Sequence, residues 1–585
     1  MHRKREQGFI LVTVIMVLAL VAIIGATLLV KSTSEMRQSG NSELQAKARG
    51  YAEAAQADMF YNFANPGLLA INTIFTPYTD AFALSSNNAA ITPIIPSSAF
   101  SAILTAVQTA FPNISNNGTG YTSVSNVVFR SLRSDPGSFN LNGQAYYLDY
   151  SITGNGALGD NKRQVITEGT LRINLGRSSL NQFILLANDG GSGPNGTSGF
   201  FDTSSVYDGP VHVNQNLALS GSPTFRAGLT VSGPSIFMND AVGCNGFTFV
   251  QVTGQQASPG GCTTPNTYGQ GVQYGTPIIN LPTNARSQAR AALGQDSTDL
   301  TPLSISSTCV SLGFSASCGS VPKGVYVPRS GGSVAGGIYI QGNADVTLST
   351  LGALQVYTVK DENNIITTIT VDYVTKTTTY VSLPGLPTVL TGVPNGQLFV
   401  SGNITSLKGP PRTGALPSPA PTTSIPAVVP PAIASQSKLN IASGGSVNVT
   451  GDVTYTDDPR TTPTAQNVLG IISGSDSVVV GDAAPNDLYI TGAVLAGASG
   501  KGLGVQSPGQ SPARGAIHLL GSLAEDTDQL RGYVNNNGVP TAGYADDFKF
   551  DQRFFNGAVA PPFFPATTKF AVQTGWPIQR TWNEQ

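Results

Sequence analysis

The sequence has little charge and few of the residues on which enzymes most often rely. Charged residues make up 11% of the 585 residues, the formal net charge is -2, and there are only 3 histidines. Such a surface makes no strong electrostatic demand on nucleic acid or on an anionic membrane. Paired carboxylates, a Ser/His/Asp order and a phosphate-binding loop are also lacking. We therefore predict no catalysis, no cofactor and no metal site.

Cysteine is scarce too, and its four copies all lie in the middle of the chain. Their short separations favour the local disulfides Cys244–Cys262 and Cys309–Cys318, although three pairings are possible. Metal binding is the alternative, but the sequence has no Cys-x-x-Cys. Disulfides in turn indicate an exported segment.

One long apolar run is present, at the N-terminus. The basic leader Arg3-Lys4-Arg5 precedes an uncharged stretch from Phe9 to Val30. About 20 apolar residues suffice to cross a bilayer as a helix. The basic leader predicts that the short N-terminal end stays in the cytoplasm and that the rest of the chain lies outside. A secretory signal would have its cleavage site after the run, whereas the candidate site here, Gly8 before Phe9, precedes it.

This arrangement resembles the leader of type IV prepilins. The resemblance implies that prepilin peptidase cleaves between Gly8 and Phe9 and that the new N-terminal Phe9 is methylated. An ordinary single-span anchor is the alternative. Thr13 stands where major pilins usually carry a glutamate that pairs with a neighbouring subunit's N-terminus, and in the family this absence is typical of subunits at the filament tip.

The helical pattern continues beyond the membrane segment, which a simple anchor would not need. An apolar stripe follows at spacings of three and four, and Asn65-Pro66-Gly67 should end the helix; its members are Leu44, Ala48, Tyr51, Ala55 and Met59. The sequence therefore predicts one long helix over 9–65, with 9–30 in the membrane, after a leader of residues 1–8.

The rest of the chain is predicted to be mainly β. Glycine (66) and proline (38) are abundant, which favours strands and loops. We predict a small antiparallel pilin-like sheet within 66–181, with 66–140 irregular. It contains a clear hairpin in which a strand carrying Tyr146 to Ile152 and a strand carrying Val165 to Leu175 flank the glycine-rich turn Gly154–Gly159.

A large inserted β-solenoid head is predicted over 182–530, and residues 531–585 should return to the pilin sheet with their aromatic segment. Five similar fragments each look like a short strand ending at Gly or Asn: 210–217, 337–343, 397–403, 487–492 and 516–521. A β-sandwich with ordinary hairpins is the alternative fold. Three interruptions are a short helix over 282–294, a protruding hairpin over 361–382 and an extended Pro-rich loop over 409–431.

This combination of helix, small sheet and inserted head is similar to the ComZ-like large minor type IV pilins of natural-transformation machines. The resemblance implies other pilins, prepilin peptidase and an inner-membrane assembly platform as partners. It also implies a single-pass inner-membrane location before assembly, then the pilus tip, cell surface or periplasm, with the head contacting extracellular DNA. Candidate DNA-binding residues are the cations beside the three interruptions: Arg286, Arg290, Lys360, Lys376, Lys408 and Arg412. Tyr339, Tyr357, Tyr373 and Tyr380 could stack on bases.

Two other functional classes remain open. An adhesive tip pilin, or the capping pseudopilin of a type II secretion system, would use the same anchor with a different head. A membrane-anchored polysaccharide-active β-solenoid enzyme is the third class, and its one candidate acidic-basic cluster is Asp457-Asp458-Pro459-Arg460, which a turn explains more simply.

Overall fold

The computed structural model describes residues 4–63, 67–84, 92–140, 143–189, 201, 205–215, 217–220, 222–233, 235–239, 250–253, 272–274, 276, 278–535, 539–555, 559–574 and 578–584. It divides into two compact units, the first formed by Met1–Gly176 with Ala571–Gln585 and the second by Arg177–Phe570. The chain thus has a long N-terminal helix, a small antiparallel sheet and a large β domain.

The first unit holds three helices and the small sheet. Its elements are α1 (Lys4–Asn62), α2 (Leu68–Leu84), α3 (Phe100–Thr109), β1 (Ile114–Gly118), β2 (Tyr121–Asn140), β3 (Gly143–Leu158) and β4 (Asn161–Ser179). These four strands pair antiparallel in chain order. The sheet is completed beside β4 by the C-terminal strands β35 (Ala566–Thr574) and β36 (Ile578–Glu584).

The predicted hairpin is present, with its turn in a different place. Tyr146, Leu148, Tyr150 and Ile152 are buried, as their alternation predicts. However, β3 continues through Gly154 to Leu158, and the turn is at Gly159 and Asp160, where Gly159 has a φ of 59°. The glycines before it belong to the strand.

Residues 66–140 are more ordered than the irregular segment predicted. Helix α2 includes Ile71 and Phe75, and α3 includes Ile103 and Val107. All four are buried, and each pair is spaced four residues apart, so each falls on one helix face. The Asn-, Ser- and Pro-rich composition of the segment conceals these short amphipathic helices.

The second unit contains the remaining strands and three short helices. They are β5 (Leu185–Asp189), β6 (Val206–Tyr207), β7 (Val211–Val213), β8 (Leu217–Ser220), β9 (Thr224–Phe225), β10 (Leu229–Val231), β11 (Ser235–Asn239), β12 (Val250–Thr253), β13 (Val272–Tyr274), α4 (Arg286–Ala292), α5 (Ile305–Ser311), β14 (Gly324–Tyr326), β15 (Arg329–Ser330), β16 (Ser333–Val334), β17 (Ile338–Gln341), β18 (Ala344–Leu351), β19 (Leu354–Asp361), β20 (Ile366–Asp372), β21 (Thr377–Ser382), β22 (Thr388–Thr391), β23 (Gln397–Val400), β24 (Ile404–Lys408), β25 (Lys438–Ser443), β26 (Val447–Val449), β27 (Val468–Ser473), β28 (Val478–Val480), β29 (Leu488–Ala496), β30 (Leu503–Val505), β31 (Ala516–Thr527), β32 (Gly532–Val534), β33 (Pro540–Gly543), β34 (Ala545–Phe550) and α6 (Gln552–Phe555).

From β23 onward the chain alternates between two large sheets. Strands β23, β25, β27, β29 and β31 pair in parallel in one sheet, and β24, β26, β28 and β30 pair in parallel in the other. One strand in each sheet together make one coil, and successive coils stack in parallel. Hairpins would pair neighbouring strands antiparallel instead. All five sequence fragments contain a strand of the first of these sheets.

Asparagines at the corners between the two sheets link neighbouring coils. The Asn343 side-chain oxygen accepts a hydrogen bond from the Asn403 backbone N–H at 2.8 Å, and the Asn403 side-chain oxygen accepts one from Ser446 N–H at 2.9 Å. Because corner N–H groups lie outside the strand ladders, these side chains supply the acceptors that the groups would otherwise lack. The Gly-Asn ending of the two fragments 337–343 and 397–403 therefore has a structural role.

Strand β31 receives two partners along a single edge. β29 pairs with one edge from Ile517 to Glu525, whereas the other edge pairs with β34 up to Gly521 and with β5 from Leu523. β5, near the start of the second unit, and β34, near its end, are therefore both hydrogen-bonded to β31.

Two further predictions differ from the structure. The segment 361–382 does not protrude: β18 to β22 form an antiparallel part of the second large sheet, and Ile369 and Val371 are buried in the head core. The aromatic segment after Asp546 packs in that same core, through Phe550 and Phe554, rather than against the small sheet. This follows from β34, whose pairing with β31 carries the segment into the second unit.

Candidate functional site

From Val14 to Val30, the first half of α1 exposes apolar side chains on every face of the helix. Residues from Val14 to Val30 are exposed in the isolated chain, and the helix is long and apolar enough to cross a membrane. The Thr33 hydroxyl donates to the carbonyls of Leu29 and Val30, each at 2.9 Å. Internal hydrogen bonding of this kind suits a helix in or beside lipid. Gly8, Phe9 and Thr13 lie in α1, and their side chains are outside the described part.

The second half of α1 packs on the small sheet through its small residues. Ala48, Ala55 and Met59 are buried, as the predicted stripe requires, and Tyr51 is half-buried. Ala52, which the stripe did not include, is buried as well. Leu44, at the start of the stripe, remains 40% exposed. The buried alanines let the helix backbone approach β2 and β3 closely.

Two glycines on β3 complete this close approach. A Cβ atom added at Gly154 would lie 2.1 Å from the Ala52 carbonyl oxygen, and one added at Gly156 would lie 2.1 Å from the Ala48 carbonyl oxygen. Real carbon–oxygen contacts are more than an ångström longer, so these positions admit glycine only. We call this contact between α1 and β3 the Ala-Gly seam.

Aromatic and polar contacts flank the seam. The Tyr51 and Tyr121 rings stack with centroids 4.3 Å apart. The Gln56 amide donates to the Thr167 hydroxyl at 3.1 Å, which ties the helix to β4 as well. The second half of α1 is thereby held in one register on the sheet while its first half stays free of the fold.

The candidate DNA-binding residues are not gathered on one surface of the head. Arg290 on α4 forms an ion pair with Asp299 at 2.9 Å and retains 11% side-chain exposure. Arg286, on the same helix, donates to the Leu300 carbonyl at 3.3 Å. Arg412 forms an ion pair with Asp452 at 2.6 Å. The guanidinium groups of Arg290 and Arg412 are thus held by the fold, whereas Arg286 is exposed.

The three lysines are exposed, and two of them share a face. Lys360 on β19 lies opposite Asp345 of β18, and Lys408 on β24 lies opposite Thr347, two residues along β18. Residues two apart on a strand point to the same side. Lys376 lies in the turn between β20 and β21, at the opposite end of β20 from Lys360.

The four tyrosines considered for base stacking belong to the core. Tyr339 and Tyr357 are 5% and 2% exposed, and Tyr373 and Tyr380 are partly buried against the same core. Burial raises the pKa of the Tyr339 hydroxyl to about 12. The alternation of strand residues gives both inward and outward positions, and here the rings occupy inward ones.

The structure contains one of the two predicted disulfides. Cys309, at 0% exposure on α5, is bonded to Cys318. This bond closes the loop that follows α5. Cys244 and Cys262 lie outside the described residues, so that pairing stays a prediction.

The acidic-basic cluster considered for catalysis forms a turn. Arg460 donates to both carboxylate oxygens of Asp458, through Nε at 2.9 Å and Nη2 at 2.7 Å. Burial opposes ionisation, but the hydrogen bonds and charge of Arg460 hold the pKa of the Asp458 carboxyl below its ordinary value. A carboxylate paired in this way is poorly placed to transfer a proton to a substrate.

A family model and a solved structure are among the matches to known proteins. A family model described as a domain of unknown function (DUF4900) matches residues 145–244, which begin in β3 and extend into the second unit. The crystal structure of the competence-associated pilin ComZ from Thermus thermophilus matches 81% of this chain and 87% of its own, with 12% sequence identity and a TM-score of 0.27. A search of curated proteins finds no match. The fold assignment rests on the strand pairings given above.

Proposed function

We propose that this protein is a minor type IV pilin or pseudopilin that belongs to a DNA-uptake system. The observation that supports this most strongly is the division of α1 into an exposed apolar half and a half fixed to a small antiparallel sheet by the Ala-Gly seam. A helix that only anchored a head would need no such seam. Exposed apolar residues on the first half would instead pack in the membrane and then against the helices of other pilins in a filament.

Maturation at the N-terminus tests this proposal. We expect the mature protein to begin at Phe9 with a methylated amine, and a Gly8→Val variant to keep the leader because the peptidase requires glycine there. Intact-mass and N-terminal peptide mass spectrometry of the membrane fraction would measure both. A Gln7→Ala variant is the matched control and should mature normally. A wild-type chain that starts anywhere else would contradict the proposal.

We propose further that the second unit is a β-solenoid head displayed at the filament tip. The alternation of parallel strands between two sheets supports the first part. Thr13 supports the second, since a subunit without a carboxylate there lacks one means of pairing with the N-terminus of a neighbour. Assembly would occur from the inner membrane, with prepilin peptidase and the assembly platform as partners.

For DNA, the head surface with the best support is the outer face that carries Lys360 and Lys408. Both are exposed, and neither forms an ion pair within the described part of the head. Non-specific binding of DNA depends on phosphate contacts that release counterions. This small patch would give weak, salt-sensitive binding. A protein with an adhesive or secretion role would use the same anchor but would not need a DNA-binding surface.

A salt titration of DNA binding distinguishes these roles. With full-length protein in detergent, a gel shift should appear at low salt. The slope of log K against log[salt] is negative, and its magnitude should fall by roughly 1 for each lysine changed in Lys360→Ala and Lys408→Ala. Lys376→Ala, at the far end of β20, is the matched control. Absence of a shift at low salt, or equal slopes in all variants, would favour the adhesive or secretion role.

A further inference from the structure

A buried carboxyl group lies near the end of β31, the strand to which both β5 and β34 are hydrogen-bonded. Glu525 has 0% exposure, and its register partners on the two neighbouring strands are Ala496 of β29 and Ala187 of β5, neither of which carries a charge. A Cβ atom added at Gly502 would lie 2.6 Å from Glu525 Oε2, so the backbone just before β30 also packs against this group. The carboxyl group is therefore shielded from bulk water.

The two oxygens of the Glu525 side chain differ in their hydrogen bonds. Oε2 accepts one from the Leu503 backbone N–H at 2.9 Å, whereas Oε1 is buried and receives none from a donor in the described part of the chain. An ionised carboxylate in this place would keep a full negative charge with a single hydrogen bond. Burying a charge without a partner costs far more free energy than burying a neutral polar group.

The cation beside Glu525, Arg531, is bonded to other groups. Its guanidinium donates through Nε and Nη2 to the Asp546 carboxylate, at 2.7 and 2.8 Å, and through Nη2 to the Asp528 carboxylate at 2.7 Å. Its Nη1 donates to the Leu503 carbonyl at 3.0 Å. One positive charge thus lies among three carboxyl groups. If all three were ionised, the cluster would hold two uncompensated negative charges.

The surroundings of Glu525 favour its neutral form. Burial raises the pKa of the Glu525 carboxyl well above its ordinary value, and the Asp528 carboxylate raises it further through its charge and through a hydrogen bond. The charge of Arg531 and the hydrogen bond from the Leu503 N–H act in the opposite direction without reversing the shift. Tyr207 of β6 lies in the same cluster, but burial raises the pKa of its hydroxyl as well, so it adds no charge.

We propose that Glu525 is held as a neutral carboxylic acid at neutral pH and that its Oε1–H donates to the Asp528 carboxylate. The proton then occupies the one oxygen of Glu525 that receives no hydrogen bond, while Asp528 and Asp546 stay ionised beside Arg531. Because Glu525 lies on β31, this proton stabilises the strand that joins β5 and β34 to the rest of the head. The stability of the head consequently depends on the pH of its surroundings.

The sign of this pH dependence follows from where the proton is bound. In an unfolded chain a glutamate carboxyl has a pKa of about 4.3. Above that pH the folded head keeps a proton on Glu525 that the unfolded chain has lost, so the contribution of Glu525 to stability falls as the pH rises. The contribution is complete below about pH 4.3 and is lost once the pH passes the raised pKa of the folded state.

Glu525→Gln tests the proposal, because glutamine has the shape of the neutral acid but cannot ionise. Its amide can donate to Asp528 while its oxygen accepts from the Leu503 N–H. We expect the unfolding equilibrium constant of the wild-type head, divided by that of Glu525→Gln, to rise roughly tenfold per pH unit from pH 5 to pH 7. Urea unfolding of the full-length protein in detergent, followed by protease protection of the second unit, would measure both proteins at each pH. The ratio cancels groups that titrate alike in the two proteins.

Glu362→Gln is the matched control, because Glu362 is an exposed glutamate of the head that is ion-paired with Lys323 at 2.7 Å. The hydrogen bond from Lys323 lowers the pKa of the Glu362 carboxyl, so the same ratio should stay constant over this range.

Infrared spectroscopy of the wild type gives a second readout that needs no variant to fold. At pH 7 the spectrum should contain the carbonyl band of one protonated glutamate, identified by its shift when the glutamate carboxyl groups are labelled with carbon-13. A constant ratio for Glu525→Gln would overturn the proposal, as would the absence of this band, since either result would mean that Glu525 is ionised in the folded head. None of these results depends on filament assembly or on DNA.

Discussion

Gly156→Ala should destabilise the first compact unit by about 3 kcal/mol, even though it adds a single methyl group to a strand. The new Cβ would lie 2.1 Å from the Ala48 carbonyl oxygen and 2.4 Å from the Ala52 backbone nitrogen. Both atoms belong to the backbone of α1, so no side-chain rotation can relieve the overlap. The helix must move away from β3, and the buried side chains beside the Ala-Gly seam then lose their contacts.

Gly143→Ala is the matched control for this change. Gly143 lies on the same strand, but a Cβ added there would be 3.4 Å from its nearest atom, the Leu175 carbonyl oxygen. We expect Gly143→Ala to change the free energy of unfolding by less than about 1 kcal/mol, in either direction.

Hydrogen exchange of peptides from β2 and β3, followed by mass spectrometry on the full-length protein, would separate this unit from the head. A loss of 3 kcal/mol corresponds to exchange roughly 100-fold faster from the globally opened state. Equal exchange in Gly156→Ala and Gly143→Ala would show that α1 does not pack on β3 as described.

Arg553→Met should destabilise the head by about 3–5 kcal/mol, the usual cost of leaving one member of a buried ion pair without its partner. Arg553 and Asp551 have 5% and 0% side-chain exposure, and their closest atoms are 2.6 Å apart. The guanidinium also donates to the carbonyls of Ala465 and Asn467, at 2.8 and 3.1 Å. Methionine would fill much of the volume but would remove the guanidinium donors from two carbonyl groups and from the carboxylate, which would keep the backbone N–H of residue 553.

The chain contains an unusually close control for this pair. Arg460 and Asp458 have the same spacing of two residues and the same two-pronged geometry, with a closest distance of 2.7 Å, but their side chains are 24% and 14% exposed. Water can replace the lost partner there, so Arg460→Met should cost about 1 kcal/mol or less. Urea unfolding followed by a head-specific signal, such as protease protection of the second unit, would compare the two. Similar losses of unfolding free energy in the two variants would mean that burial does not determine how much an Asp-x-Arg ion pair stabilises the head.

The parts of the fold that the sequence predicted correctly depend on short-range patterns. The stripe ending at Met59, the alternation from Tyr146 to Ile152 and the five short strand fragments each place residues of one kind at helical or strand spacing. Such a pattern determines which face is buried without any knowledge of the partner surface. For that reason the long helix, the hairpin strands and one of the large sheets could all be predicted.

The parts that were missed depend on contacts between distant residues. Gly154 and Gly156 look like a turn, and only the approach of α1 explains why a strand contains them. Arg412 looked available for DNA, but it pairs with Asp452, 40 residues away. The row formed by Tyr489, His518 and Asp547 needs the register that aligns β29, β31 and β34. No local spacing gives that register, although a Gly-x-Gly in a strand beside an Ala-x-x-x-Ala helix could have suggested the seam.

The shared edge of β31 has a mechanical consequence for the head. The polypeptide enters the second unit through β5 and leaves it after β34, and both strands are hydrogen-bonded to β31. The Leu180 N–H also donates directly to the Pro565 carbonyl at 3.0 Å, close to the entry and exit points. Tension between the entering and leaving segments would therefore be borne by β5, β31 and β34, while strands farther from β31 in the sheet carried little of the load.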